Sequence, residues 1–269
     1  MEQLLLTATQ ISTFGGDRLL TRATGFFFAR DKRLFLVTSR HVLLDEPSAH
    51  FPGRIELELH VDPRNLTLSA AWSIDLYANG LGTWRQGSDS GGDIDVAVIE
   101  LDPATKPASA VLRAFGPEHL QVSLEDIEIG AQLLIVGFPL GFHDTLHHLP
   151  VARQAAVASA FGVRFQGQGT FLTDARTHRG TSGAPVVTRA PPSSQRNADL
   201  PWTLLGVHSA RLDMRTRERE DETLGLNLAW YADILMTLTD DRGDAPSARA
   251  VAPTRQTPLG STDQANLPM

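Results

Sequence analysis

The chain of 269 residues contains no cysteine, which excludes a fold stapled by disulfides and the secreted, disulfide-dense classes that depend on them. Long hydrophobic runs are missing as well. The opening segment MEQLLLTATQ has a brief apolar stretch and no basic region ahead of it, so neither a signal peptide nor a transmembrane helix is expected. No concentrated stripe of lysine and arginine is present, and the formal net charge is −7, a poor balance for a nucleic-acid partner. The basic residues from Arg211 to Arg219 alternate with acids in RLDMRTREREDET and read as a solvated loop. His143, His147 and His148 form the densest imidazole group, but no Glu or Cys accompanies them at ligand spacing, so no metal is expected. GFPLGF, residues 137–142, lacks the lysine and the serine or threonine of a phosphate cradle, and no nucleotide or other cofactor is expected. A cytoplasmic protein without membrane or nucleic-acid partners is the reading these absences leave.

Helical periodicity is scarce. Apolar residues make up 42% of the chain, enough for one large core or two linked ones. They fall in short runs between glycine, proline and charged turns: 4–7, 25–28, 34–38, 55–61, 66–68, 131–136, 171–173 and 186–188. That is the pattern of an all-β protein built from antiparallel barrels. The Ala- and Pro-rich stretch from Pro103 to Leu120 reads as a crossing between two halves, with a short helix over 108–115. The tail, residues 241–269, is rich in Pro, Ala, Thr and polar residues and reads as disordered.

The segment with chemical content is TDARTHRGTSGAPVV, Thr173 to Val187, where Gly180 and Gly183 bracket Thr181 and Ser182. Such glycines permit a tight backbone turn and leave amide hydrogens free to face a developing oxyanion; Gly180 and Ser182 would supply that pair. A serine hydroxyl is a weak nucleophile and needs an imidazole within reach, itself held by a buried carboxylate. His41 follows the apolar run Leu34 to Thr38 and is placed at a strand end, where a ring can face a cleft. Further on, GGDIDVAVIEL offers Asp93 and Asp95, two apart and on the same face of an extended chain, so spacing alone does not choose between them.

The order His41, Asp95, Ser182 and four motif segments resemble the trypsin-like serine peptidases of the chymotrypsin clan, in the motif style of the bacterial high-temperature-requirement proteases. ATGFFF and TSRHV resemble that family's first strand and histidine motif, and Asp95-Val96-Ala97-Val98 its D-[LI]-AV strand, which favours Asp95 over Asp93. VGFPLG, residues 136–141, resembles the element opening the second barrel, and Thr173 to Pro185 the TDA...GNSGGP element. LLGVHSA, residues 204–210, resembles the strand beside bound substrate, and Gly225 to Ala229 the closing strand. The resemblance implies two six-stranded antiparallel β-barrels with a short C-terminal helix, divided as 1–105, a connector over 106–125, and 126–240. It also implies a serine endopeptidase acting on polypeptides, with His41 as base, Asp95 as the orienting acid, Ser182 as nucleophile, and Gly180 and Ser182 as the oxyanion hole.

Three positions depart from the family's pattern: Arg179 stands for its usual proline, Thr181 for Asn or Asp, and Ala184 for the second glycine after the serine. They keep a second reading open, a catalytically inactive protease fold that binds polypeptides. The threonine also argues against activation by N-terminal clipping. The family's primary pocket places Arg176 at its base and His208, Ser209 and Ala210 on the strand beside it as substrate-binding residues. A pocket with Arg176 and His208 would favour acidic side chains.

Overall fold

The computed structural model describes residues 2–121, 123–191, 199–214 and 222–240. The expected disordered tail lies outside the described residues, as does most of the charged loop after Arg211.

The N-terminal half is built from β1 (Ala8–Gly15), β2 (Arg18–Arg30), β3 (Arg33–Thr38), β4 (Arg54–His60) and β5 (Ser69–Asp75). A one-turn helix, α1 (Arg40–Leu43), follows β3; a small ribbon, β6 (Tyr77–Ala78) with β7 (Leu81–Gly82), precedes β8 (Trp84–Asp89) and β9 (Gly92–Leu101). The main sheet has seven strands in the order β5-β4-β1-β2-β3-β9-β8 and is not closed. The C-terminal half is a closed six-stranded barrel: β10 (Gln132–Gly137), β11 (Val151–Val157), β12 (Thr170–Asp174), β13 (Pro185–Arg189), β14 (Trp202–Met214) and β15 (Glu222–Tyr231). A short helix, α2 (Ile234–Leu238), ends it. The expectation of two six-stranded barrels is therefore corrected to one such barrel and one open seven-stranded sheet.

The reason two strands read as continuous apolar runs is burial on both faces. Along β2, Phe26 and Phe28 enter a core shared with Val136, Val187, Leu204, Val207 and Trp230 of the barrel, while Phe27 enters the N-terminal half's own core with Ile11, Leu57 and Trp84. β9 does the same, sending Val96 and Val98 to the shared core and Ala97 and Ile99 to the other. Side chains alternate across a strand, so one run serves two cores. A third core, with Leu133, Ile135, Phe171 and Ala229, fills the barrel.

Three local expectations are corrected. Residues 4–7 lie in a 3₁₀ turn, Gln3–Thr7, with Leu4 and Leu6 buried. Residues 66–68 lie before β5, with the Leu68 N–H closing a turn onto the Asn65 carbonyl. The stretch 108–115 has no helix: its amides at Val111, Arg113 and Phe115 donate to the carbonyls of His60, Leu6 and Phe27, which an α-helix would have claimed internally. Phe115 is fully buried, edge-on to Phe26. None of the helices among the described residues is long and apolar enough to cross a membrane.

Candidate active site

The candidate site lies where the open sheet meets the barrel. β3 ends at Thr38 and the chain turns into α1, which begins its single turn at Arg40 and presents His41. Asp95 comes from β9, the neighbour of β3 in the sheet. Its Oδ1 accepts the backbone N–H of His41 at 2.9 Å and its Oδ2 lies 2.8 Å from the ring Nδ1. Asp93, two residues earlier, instead faces Arg40 Nη2 at 3.7 Å and is exposed. The structure thus brings Asp95 to His41 and leaves Asp93 outside.

The pair perturbs both groups. Burial lowers the proton affinity of the His41 ring, but the hydrogen bond and charge of Asp95, aided by Asp45, outweigh it and leave the pKa raised above the ordinary 6.5. For Asp95, burial pushes upward, and the bonds from His41 and Ser209 overcome it to hold the carboxyl below its usual range. Ser209 Oγ donates to the same Oδ2 at 2.6 Å, so β14 of the barrel is fastened to the acid of the open sheet.

Ser182 lies in the loop before β13. Gly180 and Gly183 take φ of +89° and +85°, conformations open to glycine at little cost. A side chain at Gly183 would collide with the Thr24 carbonyl and Thr38 Oγ1. Within the loop the amides of Thr181, Gly183 and Ala184 donate to the carbonyls of His178, His208 and Thr181. The amides of Gly180 and Ser182 have no acceptor among the described residues. Two unengaged donors two positions apart, one of them the serine's own, can stabilise an oxyanion. Ser182 Oγ itself donates to the Ser209 carbonyl at 3.2 Å and has no hydrogen bond to His41. Ser182, Gly180, His41 and Arg179 line one cavity of about 470 Å³, together with Asp45 and Leu140.

The three departures have visible settings. Ala184 is fully buried and is not among the residues of positive φ, so its methyl meets no backbone penalty. Thr181 is buried, its amide donating to the His178 carbonyl. Arg179 is exposed, and its carbonyl receives the Leu140 N–H at 2.5 Å.

Thr24 is a residue that the sequence reading passed over. From β2 it donates its hydroxyl to the Gly180 carbonyl at 2.7 Å, accepts the Phe138 N–H at 3.0 Å, and gives its own N–H to the Ser182 carbonyl at 3.1 Å. One side chain therefore holds the loop and the 137–142 segment against the sheet. Its signal, a threonine in the ATGFFF strand, is ordinary for a strand.

The residues expected to bind substrate separate. Arg176 is exposed and lines a second cavity of about 500 Å³ with His178 and Arg211. Ala210 is exposed beside it on β14. Ser209 is buried and spends its hydroxyl on Asp95. His208 is 2% exposed, its amide bonded to the Ala184 carbonyl and its Nδ1 without a partner. Burial first, then the nearby His41 and Arg211, push its pKa down to about 4, so it is neutral at pH 7.

The clustered histidines His143, His147 and His148 are engaged within their own segment. The rings of His143 and His148 stack at 5.9 Å, and His147 Nδ1 meets Asp144 at 2.7 Å. Among the described residues no group of three or more ligating side chains is placed to hold a metal ion.

Comparison with known proteins accords with the fold. A solved serine endoprotease from Yersinia pestis superposes with a TM-score of 0.51 at 15% identity, over 87% of this chain and 62% of that one. An HtrA-type protease with tripeptide gives 0.53 at 14% identity, over 87% of this chain and 59% of that one. The chain thus spans less than two thirds of either structure, and the likeness is one of fold. No curated protein matches the chain in sequence. The pattern of the family described as trypsin-like peptidase domain matches residues 23–190, more than half of the chain and all of the segments that carry His41, Asp95 and Ser182. The chain belongs to that family.

Proposed function

We propose that the protein is a serine endopeptidase that hydrolyses polypeptides through an acyl-enzyme formed on Ser182. The observation that carries this reading is the pairing of a doubly bonded Asp95–His41 couple with the unengaged amides of Gly180 and Ser182 around one cavity. In the first step Ser182 Oγ leaves the Ser209 carbonyl, attacks the peptide carbonyl carbon, and passes its proton to Nε2 of His41. Asp95 fixes the proton on Nδ1 and stabilises the imidazolium. The two amides receive the oxyanion. His41 then returns the proton to the leaving amine as the C–N bond breaks; water, giving a proton to His41, adds to the acyl carbon, and His41 passes that proton to Ser182 Oγ as the acyl–Oγ bond breaks.

The catalytic groups are drawn from both halves, with 1–105 supplying His41 and Asp95 and 126–240 supplying Ser182 across the 106–125 connector. Docking of the halves, through Ser209 with Asp95 and Thr24 with Gly180, then sets the geometry. One observation favours a second reading, an inactive protease fold that binds polypeptides: Ser182 Oγ is bonded to Ser209 and not to His41. Hydrolysis of an unstructured protein substrate by wild type and by S182A separates the two. Cleavage by wild type and none by S182A is expected; equal cleavage by both removes the assignment, and tight binding without cleavage by either supports the second reading.

A further inference from the structure

Among the described residues no strand pairs with the second edge of β2 between Arg18 and Gly25. β1 pairs with β2 from Arg18 to Phe26, but β3 covers the other edge only from Phe26 to Arg30. On the uncovered stretch Thr24 gives its N–H to the Ser182 carbonyl at 3.1 Å. In an antiparallel ladder alternate residues turn their N–H and C=O to the same side, so Arg22 presents its own pair next to that contact. A polypeptide leaving Ser182 and passing Arg22 toward Arg18 runs antiparallel to β2 and can add to this edge.

Side chains two apart share a face of a strand, and Thr24 shows where this face points, since its hydroxyl reaches the Gly180 carbonyl. Arg22 lines the cavity of His41 and Ser182, its stem passing Gly141, where a Cβ would come within 3.2 Å of Arg22 Cδ. Arg179 lines the same cavity, rooted by its carbonyl on the Leu140 N–H. Both arginines are exposed, and neither guanidinium makes a hydrogen bond or an ion pair with a described residue. The one carboxylate among the described residues of the cavity wall, Asp45, accepts the Ser48 hydroxyl. Two permanent cations therefore stand against one engaged carboxylate. Arg179 occupies the place of the family's usual proline, so this charge belongs to the chain and is not implied by its resemblance to other peptidases.

We propose that the protein selects substrates by an acidic side chain on the leaving-group side, within two residues after the scissile bond, and that Arg22 and Arg179 hold its carboxylate. The inference rests on the peptidase reading; guanidiniums grip a carboxylate through charge-assisted hydrogen bonds. The test uses the full chain and pools of otherwise randomised peptides with a central Glu, Gln, Leu or Lys, the cut positions being read by mass spectrometry. Cutting at either of the two bonds preceding the central Glu is expected to be at least about tenfold faster than at the same bonds in the Gln pool. R22Q, which leaves the oxyanion loop untouched, should lower that ratio about threefold, and R22Q/R179Q about tenfold. Equal cutting of the Glu and Gln pools, or a Glu preference that survives in R22Q/R179Q, overturns the proposal; where Ser182 of that enzyme reacts with a fluorophosphonate, the peptidase reading still stands. If no pool is cut, binding of amide-capped Glu and Gln pools to S182A decides the site: about tenfold tighter binding of Glu, lost in S182A/R22Q/R179Q, supports it, and equal binding overturns it. A Ser182 that also fails to react would separately remove the peptidase reading.

Discussion

His41 is held to Asp95 twice, by its backbone N–H on Oδ1 at 2.9 Å and by its ring Nδ1 on Oδ2 at 2.8 Å. The first bond fixes where the residue starts its helix turn and the second fixes the ring and its tautomer. D95N keeps an acceptor but can offer an N–H to the ring, which favours the wrong tautomer. A fall in kcat of about four orders of magnitude is expected, the size known for this change in trypsin. D93N is expected to stay within a factor of a few of wild type. Steady-state kinetics of both variants checks this, and a crippled D93N beside a normal D95N would reverse the assignment.

The raised pKa of His41 has a sign that can be read in solution. A general base must be neutral, so kcat/KM should fall as pH drops through a value above 6.5, where the ring becomes protonated. In D95N the bond and charge that raise the value are gone while burial remains, so the ring should titrate below 6.5. Ring NMR signals of S182A and S182A/D95N, followed from pH 5 to 9, measure the two values directly.

His208 sets a different pH dependence, in stability. Its folded pKa of about 4 lies below the ordinary 6.5, so between those values the unfolded chain binds the extra proton. Its contribution is complete above pH 6.5 and is lost as pH falls toward 4, with a span of about 3 kcal/mol. Urea unfolding of wild type and H208Q at pH 7 and pH 4.5 checks it: the drop in wild type should be larger than in the variant.

The loop glycines divide into those with room and those without. G183A forces a methyl onto the Thr24 carbonyl and Thr38 Oγ1 at φ +85°, and a loss of about 3 kcal/mol or more is expected from overpacking and left-handed strain together. G53A meets no atom within 4 Å and should change stability by less than about 1 kcal/mol. Thermal unfolding of the two proteins makes the comparison.

T24V removes the donor to the Gly180 carbonyl and the acceptor of the Phe138 N–H at nearly constant volume. Two buried backbone groups lose a partner, which costs about 1–3 kcal/mol each where water cannot replace it. Because Thr24 positions the oxyanion loop and touches no substrate, kcat should fall while KM moves little, and T24S should recover most of the loss. Recovery by T24V of full kcat would confine Thr24 to stability.

Much of this was legible because two-sided burial leaves a mark: GFFF and VAVI stand out as uninterrupted apolar runs. The glycine-bracketed Ser182 did the same for the loop. The open edge between β5 and β8 left no such mark, since closure depends on register and twist and not on which residues are apolar. The extended path of 108–115 was hidden because its partners, His60, Leu6 and Phe27, are distant in sequence. Arg211 joined Arg176 only through the barrel's packing, and the burial of His208 follows from the same strand that exposes Ala210.

The central claim is that Ser182 is an activated nucleophile, and covalent labelling reads this most directly. Full-length protein treated with a fluorophosphonate should carry one adduct, on the peptide containing Ser182, formed faster in wild type than in D95N and absent from S182A. An unlabelled Ser182 in folded wild type, or labelling of S182A equal to that of wild type, would contradict the account.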